Sequence, residues 1–349
     1  MERAKISGPT MVLLVRDIEK SIEFYKRLGF SYELVGGPDV QHVHMNRDSV
    51  TFILHLAKNP DDVKPLRVYK QANNCSISAD IYYQGADSPV IIYIHGGALI
   101  FGTRTWLPLE QIEYFTSSGF SIVNIDYRLA PETEFEFIIE DIRDAIEWVR
   151  TKAIEWYDFD INNIAVMGSS AGGYLSLLTG TMDVKPQAIV SFYGYGDILG
   201  WYSQPSVFYC KKPMINRTVA SESIGNIEVT TGVWERFDFY LYCRQQGVWV
   251  QEVTRFDRNK DFDKLIKYSP IKNISEDYPP TLFLHGDQDT DVPYEQSVIM
   301  YEKLVEKGVY SKLITIEGAD HVFDHNFNDP TIQRAFMNVV DFLRTHLCK

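Results

Sequence analysis

Six segments constrain this 349-residue chain more than any other feature: PVIIYIH (89–95), SIVNIDY (121–127), NIAVMG (163–168), AIVSFY (188–193), PTLFLHG (280–286) and KLITIEG (312–318). Each is apolar at both odd and even positions, so each needs cover on both faces, unlike an antiparallel strand with one wet side. Helix-length stretches between such runs supply that cover and allow parallel crossovers. The pattern predicts an α/β fold with a mostly parallel sheet flanked by helices, expected near 106–118, 136–153, 171–180, 294–307 and 330–346. Ahead of the six runs, Leu66–Lys70 and Ser76–Gln84 alternate apolar and polar residues, which suits an antiparallel edge.

One interval breaks the rhythm. Nearly ninety residues separate the strand ending at Tyr193 from the one starting at Pro280, far more than a single connecting helix needs. An inserted cap over about 197–275 is expected. Its aromatic residues, among them Trp201, Tyr202, Phe208, Tyr209, Trp234, Phe237, Phe239, Tyr240, Tyr242 and Trp249, fit a small satellite core or the walls of an apolar substrate pocket over the sheet.

The first sixty residues read as a separate domain. A strand over Thr10–Val15 precedes a helix capped by Asp17, with Ile18, Ile22, Phe24, Tyr25 and Leu28 as its apolar stripe and Gly29 at its end. Three short strands follow, Ser31–Val35, Val40–Met45 and Val50–Ala57, giving the order βαβββ. The polar stretch KNPDDVKP (58–65) reads as a linker to a second domain over 61–349.

The net charge of −13 argues against nucleic acid or an anionic membrane as partner, because both attract a basic surface. No run reaches the ~18 apolar residues of a membrane span. The opening MERAKISGPTMVLLV is followed by Arg16 and Asp17 with no small-residue cleavage site, so a signal peptide is not expected. Four cysteines, Cys75, Cys210, Cys243 and Cys348, lack CxxC or zinc-ligand spacing. Reduced thiols and a cytoplasmic location are the expectation.

The strongest chemical signal is Gly168-Ser169-Ser170-Ala171-Gly172-Gly173, directly after one apolar strand and before a helix. A serine hydroxyl becomes nucleophilic only when a sharp turn presents it to a base. Small residues two places before and after the serine let that turn form, which selects Ser170 over Ser169. The turn His95-Gly96-Gly97-Ala98, at the end of PVIIYIH, offers backbone donors for a developing oxyanion, each worth about 2.7–4 kcal/mol in acyl transfer. The N–H groups of Gly97, Ala98 and Ala171 are the candidates. A base and its acid should follow in the order Ser, Asp, His. The strand TLFLHG leads into Asp287, Asp289 and Asp291, which compete as the acid, and KLITIEG leads into Asp320 and His321. All lie at carboxyl ends of strands, where open α/β sheets keep their sites. His325 is the rival base, with a surface role expected, and Asp320 reads as a loop residue.

Taken together, YIHGGALIFG (93–102), DYRLAPE (126–132), GSSAGG (168–173), HGDQDTDVP (285–293) and GADHVF (318–323) resemble, in order, the hormone-sensitive-lipase-like branch of the α/β-hydrolases, the acetyl-esterase and carboxylesterase group. The resemblance spans residues 66–349. It implies an α/β-hydrolase domain with Ser170 as nucleophile, His321 as base and Asp289 as acid. Where the family has a third glycine in HGGG this chain has Ala98, and where it often has aspartate before the nucleophile this chain has Ser169. The implied activity is hydrolysis of small uncharged esters through an acyl-serine, with no metal or organic cofactor. Peptidase, lactonase and amidase chemistry share the same triad.

The stretches VRDIEKSIEFYKRLGF (15–30) and VTFILHLA (50–57) resemble one βαβββ module of the vicinal-oxygen-chelate (glyoxalase/bleomycin-resistance) superfamily. Complete members pair such modules into a cup, so the resemblance implies a homodimer through this half-cup. Metal-using relatives carry a ligand where Thr10 falls here, and their final-strand glutamate has no counterpart, so no metal is expected. His42, His44 and His55 read as ordinary strand histidines. A binding protein run by this module, with the hydrolase segment as scaffold, is the competing class of function.

Overall fold

The computed structural model describes residues 11–15, 17–35, 42–48, 50–56 and 66–348. They form two compact units that divide before Leu66. The stretch expected as a linker, 58–65, and Thr10 lie outside the described residues.

In the first unit, β1 (Met11–Val15), α1 (Ile18–Arg27), β2 (Ser31–Val35), β3 (His42–Arg47) and β4 (Val50–Leu56) follow the expected order. The sheet runs β1-β4-β3-β2, with β1 parallel to β4. Asp17 caps α1 by accepting from the Lys20 N–H at 2.9 Å, and Gly29 ends it at φ 85°. Val43, Met45, Phe52 and Leu54 are buried, with Ile18, Ile22 and Tyr25 packed on them. Phe24 and Leu28, expected in the stripe, are exposed. Phe24 lies about 200° around the helix from Ile22, and Leu28 caps the end rather than extending the last turn. His42 and His44 alternate with buried Val43 and Met45 and so share the other face of β3. His42 lies opposite His55, Nδ1 to Nδ1 at 3.2 Å. Among the described residues no group of three or more His, Cys, Asp or Glu is placed to hold a metal ion.

The second unit contains β5 (Leu66–Ala72), β6 (Cys75–Tyr82), β7 (Pro89–Ile94), α2 (Leu109–Ser117), β8 (Ser121–Ile125), α3 (Phe135–Thr151), β9 (Asp160–Ser169), α4 (Ala171–Thr179) and β10 (Ala188–Phe192). Four short helices then fill the long interval: α5 (Arg217–Ala220), α6 (Phe237–Gln246), α7 (Trp249–Thr254) and α8 (Phe262–Lys267). β11 (Thr281–Gly286), α9 (Glu295–Glu306), β12 (Ser311–Ile316) and α10 (Pro330–Leu347) complete it. The sheet order is β12-β11-β10-β9-β7-β8-β6-β5, parallel from β12 to β8, with β6 antiparallel to both β8 and β5.

Side-chain alternation explains the two-sided burial. Along β7, Ile91 and Tyr93 pack with Phe115 of α2 and Phe336 of α10. Val90, Ile92 and Ile94 face the opposite layer with Ile142 of α3 and Leu175 of α4. The aromatics of the long interval do not form a satellite core. Tyr202, Tyr209, Tyr240 and Trp249 belong to the same packed cluster as α3 and α4, because a group of short helices has too little apolar surface of its own to close a core. No described helix is long and apolar enough to cross a membrane, and the four cysteines are free.

Candidate active site

β9 ends at Ser169 and α4 begins at Ala171, leaving Ser170 between them at φ 54°, ψ −117°. Residues with a Cβ rarely adopt that backbone. The turn is tied to β10 by the Ser170 N–H, which donates to the Phe192 carbonyl at 2.9 Å. Its glycines are required by contact. A Cβ on Gly168 would lie 2.5 Å from the Gly172 carbonyl carbon, and one on Gly172 would lie 2.0 Å from the Ile94 carbonyl oxygen. Ser169 receives a hydrogen bond from Tyr93 Oη at 3.2 Å.

Three residues distant in sequence meet at this turn. His321 Nε2 stands 3.1 Å from Ser170 Oγ, and His321 Nδ1 stands 2.7 Å from Asp289 Oδ2. A carboxylate only accepts, so Nδ1 carries the proton and Nε2 is left as acceptor for the serine hydroxyl. Of the three competing aspartates only Asp289 reaches Nδ1. Asp287 accepts from the Gly318 N–H, and Asp291 accepts from the Tyr240 hydroxyl, with its other oxygen 3.9 Å from His321 Nε2. His325 is exposed at the end of a one-turn 3-10 helix, Phe323–His325, after β12.

The Asp289 carboxylate is fully buried and its second oxygen accepts the N–H groups of Asp291 and Val292, each at 2.8 Å. Burial alone would raise its pKa, but hydrogen bonds from His285 and His321 outweigh that and hold it far below the ordinary carboxylate range. For His321, burial alone would lower the pKa. The hydrogen bond and charge of Asp289, then the charges of Asp291 and Asp324, outweigh it and leave the imidazole above its ordinary value.

Sequence patterns do not reveal several supports of this arrangement. His285 Nε2 lies 3.2 Å from Asp289 Oδ2 and 3.0 Å from the Val292 carbonyl, so it must carry a proton, while its Nδ1 lies 2.7 Å from Ser297 Oγ. The Tyr193 ring meets the His321 ring edge-on at 4.5 Å, and its hydroxyl donates to buried Asp324 at 2.5 Å. Asp320, expected only as a loop residue, accepts from the N–H groups of Thr290 and His321, each at 2.7 Å. It thereby ties the acid loop to the base loop. The strand-end His of HGDQD and the Asp preceding His321 were the available signals for two of these roles.

The loop after β7 also reaches the serine turn. Gly97, Ala98 and Leu99 all have positive φ, at 110°, 54° and 62°. A Cβ on Gly97 would fall 1.8 Å from the Phe101 carbonyl oxygen, so only glycine fits. A Cβ on Gly96 would fall 3.2 Å from that of Ser170, which sets the loop directly against the serine turn. The N–H groups of Ile100 and Phe101 both donate to the Gly97 carbonyl at 2.9 Å. Among the described residues the N–H groups of Gly97 and Ala98 have no partner. The third candidate donor, Ala171, opens α4 directly after Ser170. His95 is buried, stacks on Tyr127 at 4.4 Å and donates through Nδ1 to the Gly96 carbonyl at 2.7 Å. Burial pushes its pKa down to about 4, so it is a neutral brace.

Comparison with known proteins agrees with this architecture. The family model described as BD-FAE matches residues 79–234, and that of the prolyl oligopeptidase family matches residues 236–349. Esterase LipC of Mycobacterium tuberculosis is 27% identical over 68% of this chain and 53% of its own length. The non-reducing polyketide synthase ausA of Emericella nidulans is 27% identical over 80% of this chain, which spans only 14% of the synthase. An α/β hydrolase superfamily protein from Enterococcus faecalis is 25% identical over 81% of this chain and 98% of its own, with a TM-score of 0.65. A Staphylococcus aureus protein described as of unknown function is 26% identical over 78% of this chain and 96% of its own, also at 0.65. With this sheet order and these neighbours, the chain from Leu66 onward is an α/β-hydrolase in fold.

Proposed function

We propose that this chain is a serine hydrolase that cleaves small, uncharged carboxylic esters through an acyl-Ser170 intermediate. The hydrogen-bonded chain from Ser170 Oγ through His321 to buried Asp289, at 3.1 and 2.7 Å, carries the reading. In the first step His321 Nε2 takes the Ser170 proton as Oγ attacks the ester carbonyl. The oxyanion rests on the N–H groups of Gly97, Ala98 and Ala171. His321 then gives the proton to the leaving alcohol. A water, deprotonated by the same nitrogen, attacks the acyl-serine and releases the acid. No metal or organic cofactor enters this sequence.

The likeness to an esterase, LipC, supports ester over other acyl substrates. The match of residues 236–349 to the prolyl oligopeptidase family keeps peptide and amide substrates as the second reading. Fluorophosphonate labelling tests the nucleophile: the intact chain should be labelled and Ser170→Ala should not. Label retained in Ser170→Ala would move the reaction to another residue. A series of p-nitrophenyl esters from acetate to decanoate, set against the matching anilides, would choose between the substrate classes. The first unit, by its resemblance to half of a paired cup, serves in this proposal as a dimerisation module in a cytoplasmic enzyme. A monomeric mass in light scattering would remove that part.

A further inference from the structure

The segment from Gly97 to Gly102 holds its shape against the preferences of its own residues. Ala98 and Leu99 carry a Cβ at positive φ, a backbone that residues other than glycine seldom adopt. Such backbone persists only where surrounding contacts over-determine it. Here most of those contacts come from residues 232–249, between β10 and β11. The Gly232 N–H donates to the Gly102 carbonyl at 3.1 Å, and the Gly102 N–H donates back. Arg236 Nε donates to the Ile100 carbonyl at 2.6 Å and its Nη2 to the Ala130 carbonyl at 2.8 Å, while the Ala130 N–H donates to the Leu99 carbonyl at 2.8 Å. Trp249 Nε1 donates to the Ala98 carbonyl at 3.0 Å.

The last bond bears directly on the chemistry. The Gly97 carbonyl and the Ala98 N–H share one peptide plane, and the Ala98 carbonyl lies on the next. Ile100 and Phe101 hold the first plane and Trp249 holds the second, so both dihedrals of Ala98 are fixed. Trp249 is fully buried and lies flat against Tyr202, 4.0 Å between centroids at 16°, so its ring has no room to turn.

We propose that Trp249 is a positioning residue whose indole N–H, by holding the peptide plane that follows Ala98, locks the loop in the shape that presents the Ala98 N–H to the oxyanion. This rests on the reading of Ser170 as nucleophile. A donor aimed at the transition-state oxygen acts on kcat, because the ground-state carbonyl carries little charge to stabilise. Trp249→Phe keeps an aromatic ring but removes the donor. We expect kcat to fall about tenfold or more, with KM within about twofold and the pH–rate midpoint unmoved. Affinity for a trifluoromethyl ketone, which forms the oxyanion on Ser170, should fall by the same factor as kcat/KM. Site-specific benzothienylalanine at 249, which replaces the ring N–H by sulfur in a ring of similar shape, should reproduce the loss and decides the matter if the Phe variant does not fold.

Full kcat in either folded variant overturns the assignment of Trp249 and leaves the enzyme reading standing. A rate loss carried by KM or by a moved pH midpoint overturns it too, since those changes belong to packing or to His321. If the unmodified chain neither turns over esters nor reacts with fluorophosphonate at Ser170, the enzyme reading falls and takes this inference with it.

Discussion

Ser170, His321 and Asp289 stand just past the carboxyl ends of β9, β12 and β11, whereas the loop of Gly97 and Ala98, which leaves β7, takes its shape from residues more than a hundred positions away. The two meet where Gly96 packs against Ser170. The first is positioned by a sheet buried on both faces, where a shift of any strand would cost contacts across two layers. The second is positioned by directed hydrogen bonds from Gly232, Arg236 and Trp249 to a strained loop. In the proposed reaction, proton transfer would then depend on the sheet and oxyanion binding on hydrogen bonds from residues 232–249.

The largest test of this division is Asp289→Asn. The amide cannot hold the Nδ1 proton as a carboxylate does, so kcat should fall by about 10⁴, and the melting temperature should fall as well, because either orientation of the amide sets its NH2 against two N–H donors. Steady-state kinetics beside a thermal melt would check it. A loss below tenfold would mean that Asp291 or another carboxylate substitutes, and the relay would not be self-contained. A smaller effect concerns pH. Only neutral His321 accepts the serine proton, and its pKa is raised, so activity should fall as pH drops through a midpoint above that of an ordinary histidine. Asp291 contributes to that rise from 3.9 Å. Asp291→Asn should move the midpoint down by up to about one unit in a pH–kcat/KM profile, as a single Coulomb term at this distance allows. An unmoved midpoint would show the Asp291 charge to be offset by Arg244, whose Nε lies 3.8 Å from Asp291 Oδ1.

The same division explains what was legible in the sequence. Continuous apolar runs are a local signal of two-sided burial, and β7 to β12 follow them closely. The elbow was legible because its glycines fall at a fixed local spacing around Ser170, although the contact that forces Gly172 comes from the Ile94 carbonyl on β7. The stripe of α1 was overdrawn at Phe24, where a short exposed helix tolerates an apolar residue on its wet side. The roles of His285, Asp320 and Trp249 escaped because they consist of individual hydrogen bonds, to Asp289, Val292 and Ser297, to Thr290 and His321, and to Ala98. A contact spanning 151 positions, as from Trp249 to Ala98, leaves no periodicity behind. The aromatic residues of the insertion suggested an apolar assembly but not that it would merge with the principal core.

Ser170 also bears on the balance between folding and reactivity. Glycine visits its dihedrals at little cost, so Ser170→Gly should melt a few degrees above the parent chain, about 1 kcal/mol of relief in a domain of this size. The most durable version of this molecule would then be one that does nothing, and the difference between the two melting points would measure what the fold gives up to keep a hydroxyl in place.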